Sequence, residues 1–310
     1  MKFAFVFPGQ GSQSVGMLDA WADNAAVQRT LEQAGAALGQ NLAGLIAQGP
    51  AEDLNLTTNT QPVMLTAALA TYAAWQAAGG PQPAVVAGHS LGEYSALAAA
   101  GAISLDDAVR IVRVRADAMQ AAVPVGAGAM AAVLGLSDDD VRSVCTEAAQ
   151  GEVVEAVNFN APAQVVIAGH KAAVERACEL AKQRGAKRAL LLPVSAPFHS
   201  SLLRPAAEVL QKALADVTIN VPSIPVINNV DVAVADTPDA IRDALVRQAW
   251  HPVRWVETVQ AMKAQGVTHI VECGPGKVLN GLTKRIDKDL VGLAITDPAS
   301  MQAALELLQG

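Results

Sequence analysis

The stretch "VVAGHSLGEYSALAAAG", residues 85–101, leaves this chain few ways to fold. A β-branched pair, Val85-Val86, runs into Gly88-His89-Ser90-Leu91-Gly92, and an alanine-rich helical segment follows at once. Strand, sharp turn and helix in that order are the parts of a βα unit, and such units need a largely parallel sheet. The remainder of the chain repeats the alternation. Short apolar runs predict strands at 3–7, 84–87, 164–168, 187–192, 225–228 and 269–272. Longer runs between them predict helices at 62–78, 91–100, 105–122, 138–150, 172–184, 200–215, 237–248 and 255–265. Ser104 and Ser137, each just ahead of a helical run, read as N-caps.

The middle of the chain differs in texture. After Gly126-Ala127-Gly128 come "AMAAVLGL", a helix, a strand near 152–158, "AQVVIAG", a second helix and "AKRALLLPVS". That β-α-β-β-α-β order predicts a ferredoxin-like subdomain inserted at 125–195.

Bulk properties narrow the function classes. A chain of 310 residues, 52% hydrophobic and 16% charged, is far from the composition of disorder. The net charge of −7 argues against a general nucleic-acid binder. Cys145, Cys178 and Cys273 have neither disulfide nor zinc spacing and read as buried thiols in a reducing compartment. No leader-like segment opens the chain, and no apolar run reaches the ~18 residues of a membrane helix, so a cytoplasmic protein is expected.

Gly88-His89-Ser90-Leu91-Gly92 matches G-x-S-x-G in the strand–turn–helix context of a nucleophile elbow. The glycines permit a reversal that exposes the Ser90 hydroxyl at the carboxyl edge of the sheet, with the Leu91 N–H opening the helix toward an oxyanion. A serine needs a base, and the histidines are His89, His170, His199, His251 and His269. His89 adjoins the serine in a turn whose neighbours point different ways. His199, in "PVSAPFHSSLL", falls in a loop between a strand and a helix, where catalytic groups of α/β sheets gather. No triad acid is identifiable: Asp231 and Glu257 lie beyond His199, and no carboxylate before it sits in a triad turn.

The opening run "FAFVFPGQGSQSVGM" ends a strand in a glycine-rich turn that suggests a phosphate cradle. No Gly-Lys-Ser/Thr follows, and Ser14 stands where a dinucleotide fold needs a third glycine-like residue. In "VRIVRVRADAMQ", Arg110 and Arg113 read as an ordinary solvated face. The densest basic runs are "KQRGAKR", residues 182–188, and Lys284-Arg285.

"FVFPGQGSQ", "GHSLGEY", "RVRADAMQ", "VSAPFHS", "VRQAWHPVRW" and "ECGPGKVL", in this order, cover nearly the whole chain. Together they resemble the malonyl-CoA:acyl carrier protein transacylases of bacterial fatty acid synthesis and the related acyltransferase domains of polyketide synthases. The resemblance implies an α/β fold: a hydrolase-like core with a largely parallel sheet, from 1–124 and 196–310, plus the ferredoxin-like subdomain at 125–195. It implies Ser90 as nucleophile, His199 as general base and, in place of the missing acid, the Gln248 backbone carbonyl. A carbonyl can hold a neutral imidazole in one tautomer. The Gln10 and Leu91 backbone N–H groups become the oxyanion hole, and Arg115 matches the arginine that clamps a malonyl carboxylate. Phe198 resembles malonyl-selective members, and His89, Asn158 and Asn160 are candidates for the substrate pocket, although asparagines before a proline also serve turns.

The implied reaction is a ping-pong transfer from malonyl-CoA, a coenzyme A thioester, to the phosphopantetheine thiol of acyl carrier protein through a malonyl-serine. No bound cofactor or metal, no nucleic acid and no membrane is implied. An acidic carrier needs local positive charge, for which Lys187 and Arg188 are the candidates. The alternatives are a serine thioesterase or esterase using the same dyad, a polyketide-pathway acyltransferase acting in trans, and a non-catalytic carrier-binding module. A chain that starts at its first strand and stops soon after its last motif favours the fatty acid role.

Overall fold

Two sheets organise the computed structural model, which describes residues 1–309. Its strands are β1 (Phe3–Phe7), β2 (Val85–Gly88), β3 (Gly128–Leu134), β4 (Val154–Ala161), β5 (Gln164–His170), β6 (Arg188–Leu191), β7 (Val226–Ile227), β8 (His269–Cys273) and β9 (Val291–Ile295). The larger sheet is entirely parallel, in the order β7-β2-β1-β8-β9. The smaller is antiparallel, in the order β4-β5-β3-β6. Chain order and sheet order together are those of a ferredoxin-like unit.

β1 lies at the centre because both of its faces are apolar, as a parallel strand covered on two sides requires. Phe5 packs edge-on against Tyr72 and Trp75 of helix Thr57–Ala77, with ring centroids 5.8 and 5.2 Å away. Ala4 and Val6 point the other way, into a cluster with Trp255, Val259 and Ile270. The small sheet is also used on both faces. Ala131, Val133, Val165 and Ile167 form a separate core with Val144 and Val174 of the two helices behind them. Met130, Val166 and Ala168, on the opposite face, join the main core.

Helix positions follow the sequence reading with local differences. Helix Thr57–Ala77 begins five residues ahead of the expected start at Pro62. A proline normally marks the first turn, where no N–H is needed, but here burial of almost the whole segment outweighs that signal. The predicted helix at 200–215 divides into a 3-10 turn, Ser201–Leu203, and helix Arg204–Ala215, with Pro205 at the division. Ser104 and Ser137 cap as expected, accepting from the Asp107 and Asp140 N–H groups at 3.1 Å. Helices Ala25–Leu38, Val278–Ile286 and Pro298–Gln309 and strand β9 were not among the expected elements. All three cysteines are free and buried.

Candidate active site

Ser90 occupies the turn between β2 and helix Gly92–Ala99 with φ of 52°. A serine held in the left-handed region stores strain on the order of 1–3 kcal/mol, so its surroundings must fix it. Two side chains do so. Asn229 Oδ1 accepts from the Ser90 N–H at 2.8 Å, and Gln248 Nε2 donates to the Ser90 carbonyl at 2.9 Å. Asn229 is itself anchored by donating Nδ2 to the Gly88 carbonyl at 2.7 Å.

The flanking glycines answer a demand for space. A Cβ on Gly88 would lie 1.8 Å from the Gly92 backbone, and one on Gly92 2.1 Å from the Phe7 carbonyl oxygen. The turn after β1 presses on the elbow in the same way: a Cβ on Gly9 would lie 2.6 Å from the His89 carbonyl oxygen. That contact brings Gln10 to the cavity that Ser90 lines.

The Ser90 hydroxyl faces two nitrogen groups. His199 Nε2 is 2.6 Å from Ser90 Oγ, and Arg115 Nη2 donates to the same oxygen at 3.1 Å. His199 Nδ1 lies 2.8 Å from the Gln248 carbonyl. A carbonyl only accepts, so Nδ1 carries the ring hydrogen and the Nε2 lone pair is left toward the hydroxyl. Burial, and after it the Arg115 charge, pushes the His199 pKa down to about 3. The ring is therefore neutral at pH 7, the state a general base needs. Asp231 and Glu257 are engaged elsewhere, paired with Arg247 and Arg254.

Arg115 is 2% exposed on helix Leu105–Ala121. Its Nη1 donates to Gln61 Oε1 at 2.7 Å and its Nη2 to Gln248 Oε1 at 3.0 Å, which fixes the plane of the guanidinium. Arg110 is exposed, as expected. Arg113 departs from the solvated reading: it is half-buried and donates to Gln40 Oε1, just past the end of helix Ala25–Leu38.

A cavity of about 120 Å³ opens above these groups. Gln10 and Leu91 line it beside Ser90, and Met130, Asn158, Val166 and Phe198 form walls. Among the described residues no protein acceptor takes the Gln10 or Leu91 backbone N–H. Asn158 Oδ1 is buried without a partner. Asn160 differs from the expectation: its Oδ1 is 2.7 Å from His89 Nε2, so it holds that ring from behind and does not line the cavity. Lys187 and Arg188 are exposed at the start of β6, away from the cavity lining.

Three residues of this site escaped the sequence reading. Gln61 supports Arg115, and Asn229 supports Ser90; neither carries a recognisable motif. Glu93 stands within "GHSLGEY", yet as the second residue of a helix it reads as an ordinary N-terminal acid. It is instead buried, which pushes its pKa up to about 7, and its Oε2 accepts from Gln248 Nε2 and from the Asn229 N–H, both at 2.9 Å.

The sequence profile of the acyl transferase domain matches residues 4–295. The chain belongs to the acyl transferase domain family. It is 58% identical over 307 residues to the malonyl CoA-acyl carrier protein transacylase of Escherichia coli, covering 99% of each. Among solved structures, the acyl-carrier-protein S-malonyltransferase of Burkholderia pseudomallei is 69% identical with a TM-score of 0.98, over 99% of this chain and 100% of that one. A malonyl-transacylase solved with a type II PKS acyl-carrier protein is 50% identical with a TM-score of 0.98, at 99% and 100% coverage. Among the described residues of this acyl transferase, no helix is long and apolar enough to cross a membrane.

Proposed function

We propose that the protein is a malonyl-CoA:acyl carrier protein S-malonyltransferase that works through a malonyl-serine ester. The observation that carries the reading is one hydroxyl shared by a neutral imidazole and a buried guanidinium, at 2.6 and 3.1 Å. The imidazole supplies a base for acyl transfer, and the guanidinium supplies a reason for the acyl group to be an acid. A plain serine esterase has no use for a cation at that distance. In this reading residues 125–195 are the inserted subdomain on a hydrolase-like core of 1–124 and 196–310, and the enzyme works in the cytoplasm.

His199 Nε2 takes the Ser90 proton while Oγ attacks the thioester carbonyl carbon. The Gln10 and Leu91 N–H groups hold the oxyanion; losing one such donor costs about 2.7–4 kcal/mol of transition-state stabilisation. Collapse breaks the carbon–sulfur bond, and the leaving coenzyme A thiolate takes the proton from His199. The carrier's phosphopantetheine thiol then gives its proton to His199, its sulfur attacks the ester, and Ser90 leaves with that proton. Arg115 pairs with the free malonyl carboxylate in both steps. The Gln61 and Gln248 bonds favour this use, because an oriented guanidinium recognises a carboxylate with two parallel donors. An acetyl group would leave that cation unpaired, which disfavours it.

The test is a single turnover with radiolabelled malonyl-CoA, followed by isolation of the labelled protein and addition of holo carrier protein or buffer. Rapid movement of label to the carrier is expected. Release as free malonate would make the protein a hydrolase, and absence of label would leave a binding module.

A further inference from the structure

We propose that Glu93 is a positioning residue that couples the carboxylate clamp to the nucleophile turn, acting through the side chain of Gln248 and the backbone of Asn229. The clamp half of this inference rests on the malonyl-transfer reading; the nucleophile half does not.

Gln248 is fully buried and serves four partners at once. Its backbone carbonyl faces His199, its Oε1 accepts from Arg115, and its Nε2 is shared between the Ser90 carbonyl and Glu93. The Arg115 bond exists only while the amide presents oxygen to the guanidinium. Rotated by half a turn, the amide would set N–H against N–H there, and oxygen against the Ser90 carbonyl. Glu93 decides between the two orientations, because its Oε2 presents lone pairs and no hydrogen to the amide and therefore demands the nitrogen end. The same Oε2 accepts from the Asn229 N–H, and Asn229 in turn holds the Ser90 N–H and the Gly88 carbonyl. One oxygen atom thus holds the backbone of Asn229 and the side-chain end of Gln248, residues 136 and 155 positions along the chain from Glu93.

Two substitutions at Glu93 separate hydrogen bonding from charge. Glu93→Gln can place its amide oxygen where Oε2 lies and accept both donors. Glu93→Met has similar length and no acceptor. Two readouts follow on folded protein: the ratio of malonyl-CoA to acetyl-CoA acylation rates for the clamp, and the rate of Ser90 labelling by a phosphonofluoridate for the nucleophile. Glu93→Met is expected to lower both by about tenfold to a hundredfold, as a misplaced reacting group does. Glu93→Gln is expected to restore most of each. A Met variant that only melts earlier, with both readouts unchanged, overturns the proposal. So does a loss confined to one readout, which denies the coupling, or a Gln variant as impaired as Met, which denies the acceptor role. If Glu93→Met fails to fold, Gln248→Met removes the same bridge from its other end while keeping the backbone carbonyl. It must then reproduce both losses, and retention of either overturns the proposal. A wild type that reacts with the phosphonofluoridate but not with malonyl-CoA sinks the transferase reading, and the labelling arm still decides the role of Glu93 at the nucleophile.

Discussion

The carboxyl edge of the parallel sheet and the antiparallel sheet facing it divide the work of one cavity unequally. The first is polar, buried and strained: Ser90 and His199 both have positive φ, at 52° and 64°, and Glu93, Arg115 and Gln248 lie beneath them at 2% exposure or less. The second is built on ordinary alternation, with Ala131 and Val133 toward its own helices and Met130 toward the cavity. The contrast teaches that reactivity comes from polar groups whose partners are imposed by distant parts of the chain, whereas the cavity wall can be made from local periodicity alone.

That division can be broken at several points. Ser90→Ala should abolish formation of labelled acyl-enzyme and lower turnover by about 10⁴-fold or more, since the nucleophile has no substitute; a labelled Ala variant, seen after gel filtration, would move the nucleophile elsewhere. Arg115→Ala should reduce the malonyl-to-acetyl preference by about 10- to 150-fold, the equivalent of a charge-assisted bond worth about 1.5–3 kcal/mol. Competition between the two thioesters reads this directly.

On the wall, Met130→Ala should cost about 2–5 kcal/mol of stability in denaturant unfolding while leaving the pH dependence of acylation unaltered. A changed pH profile would mean that the small sheet takes part in the chemistry. Glu272, in β8, sharpens the contrast further. Burial pushes its pKa up to about 7, above its value in the unfolded chain. The folded state then holds the proton more tightly, so its contribution is fully present below the unfolded pKa and is lost as pH rises through about 7. Glu272→Gln should therefore show a smaller fall in Tm than wild type between about pH 6 and about pH 8. The smallest effect is expected at the exposed start of β6, where reversing Lys187 and Arg188 to Glu should slow carrier-protein association by about tenfold or less at low salt, with that difference vanishing at high salt.

Sequence legibility follows the same line. The elbow could be read because strand, G-x-S-x-G and helix are contiguous, and the ferredoxin-like unit because its six elements come in one run. His199 could be placed in a suitable loop, but its pairing with Ser90 spans 109 residues and needed a family resemblance to single it out. Asn229 and Gln61 left no trace, since a buried amide's role lies entirely in what it faces. Arg113 and Pro62 depart from expectation for a related reason: helical spacing and proline preference are local rules, and contacts with distant parts of the chain overrode both.

The left-handed backbone at residue 90 also limits what chemistry this scaffold can acquire. Threonine, branched at Cβ, fits that conformation poorly, so exchange of the attacking atom is open to cysteine and nearly closed to a secondary alcohol. An oxygen nucleophile here is therefore held to the primary alcohol by the shape of the main chain, before reactivity is considered at all.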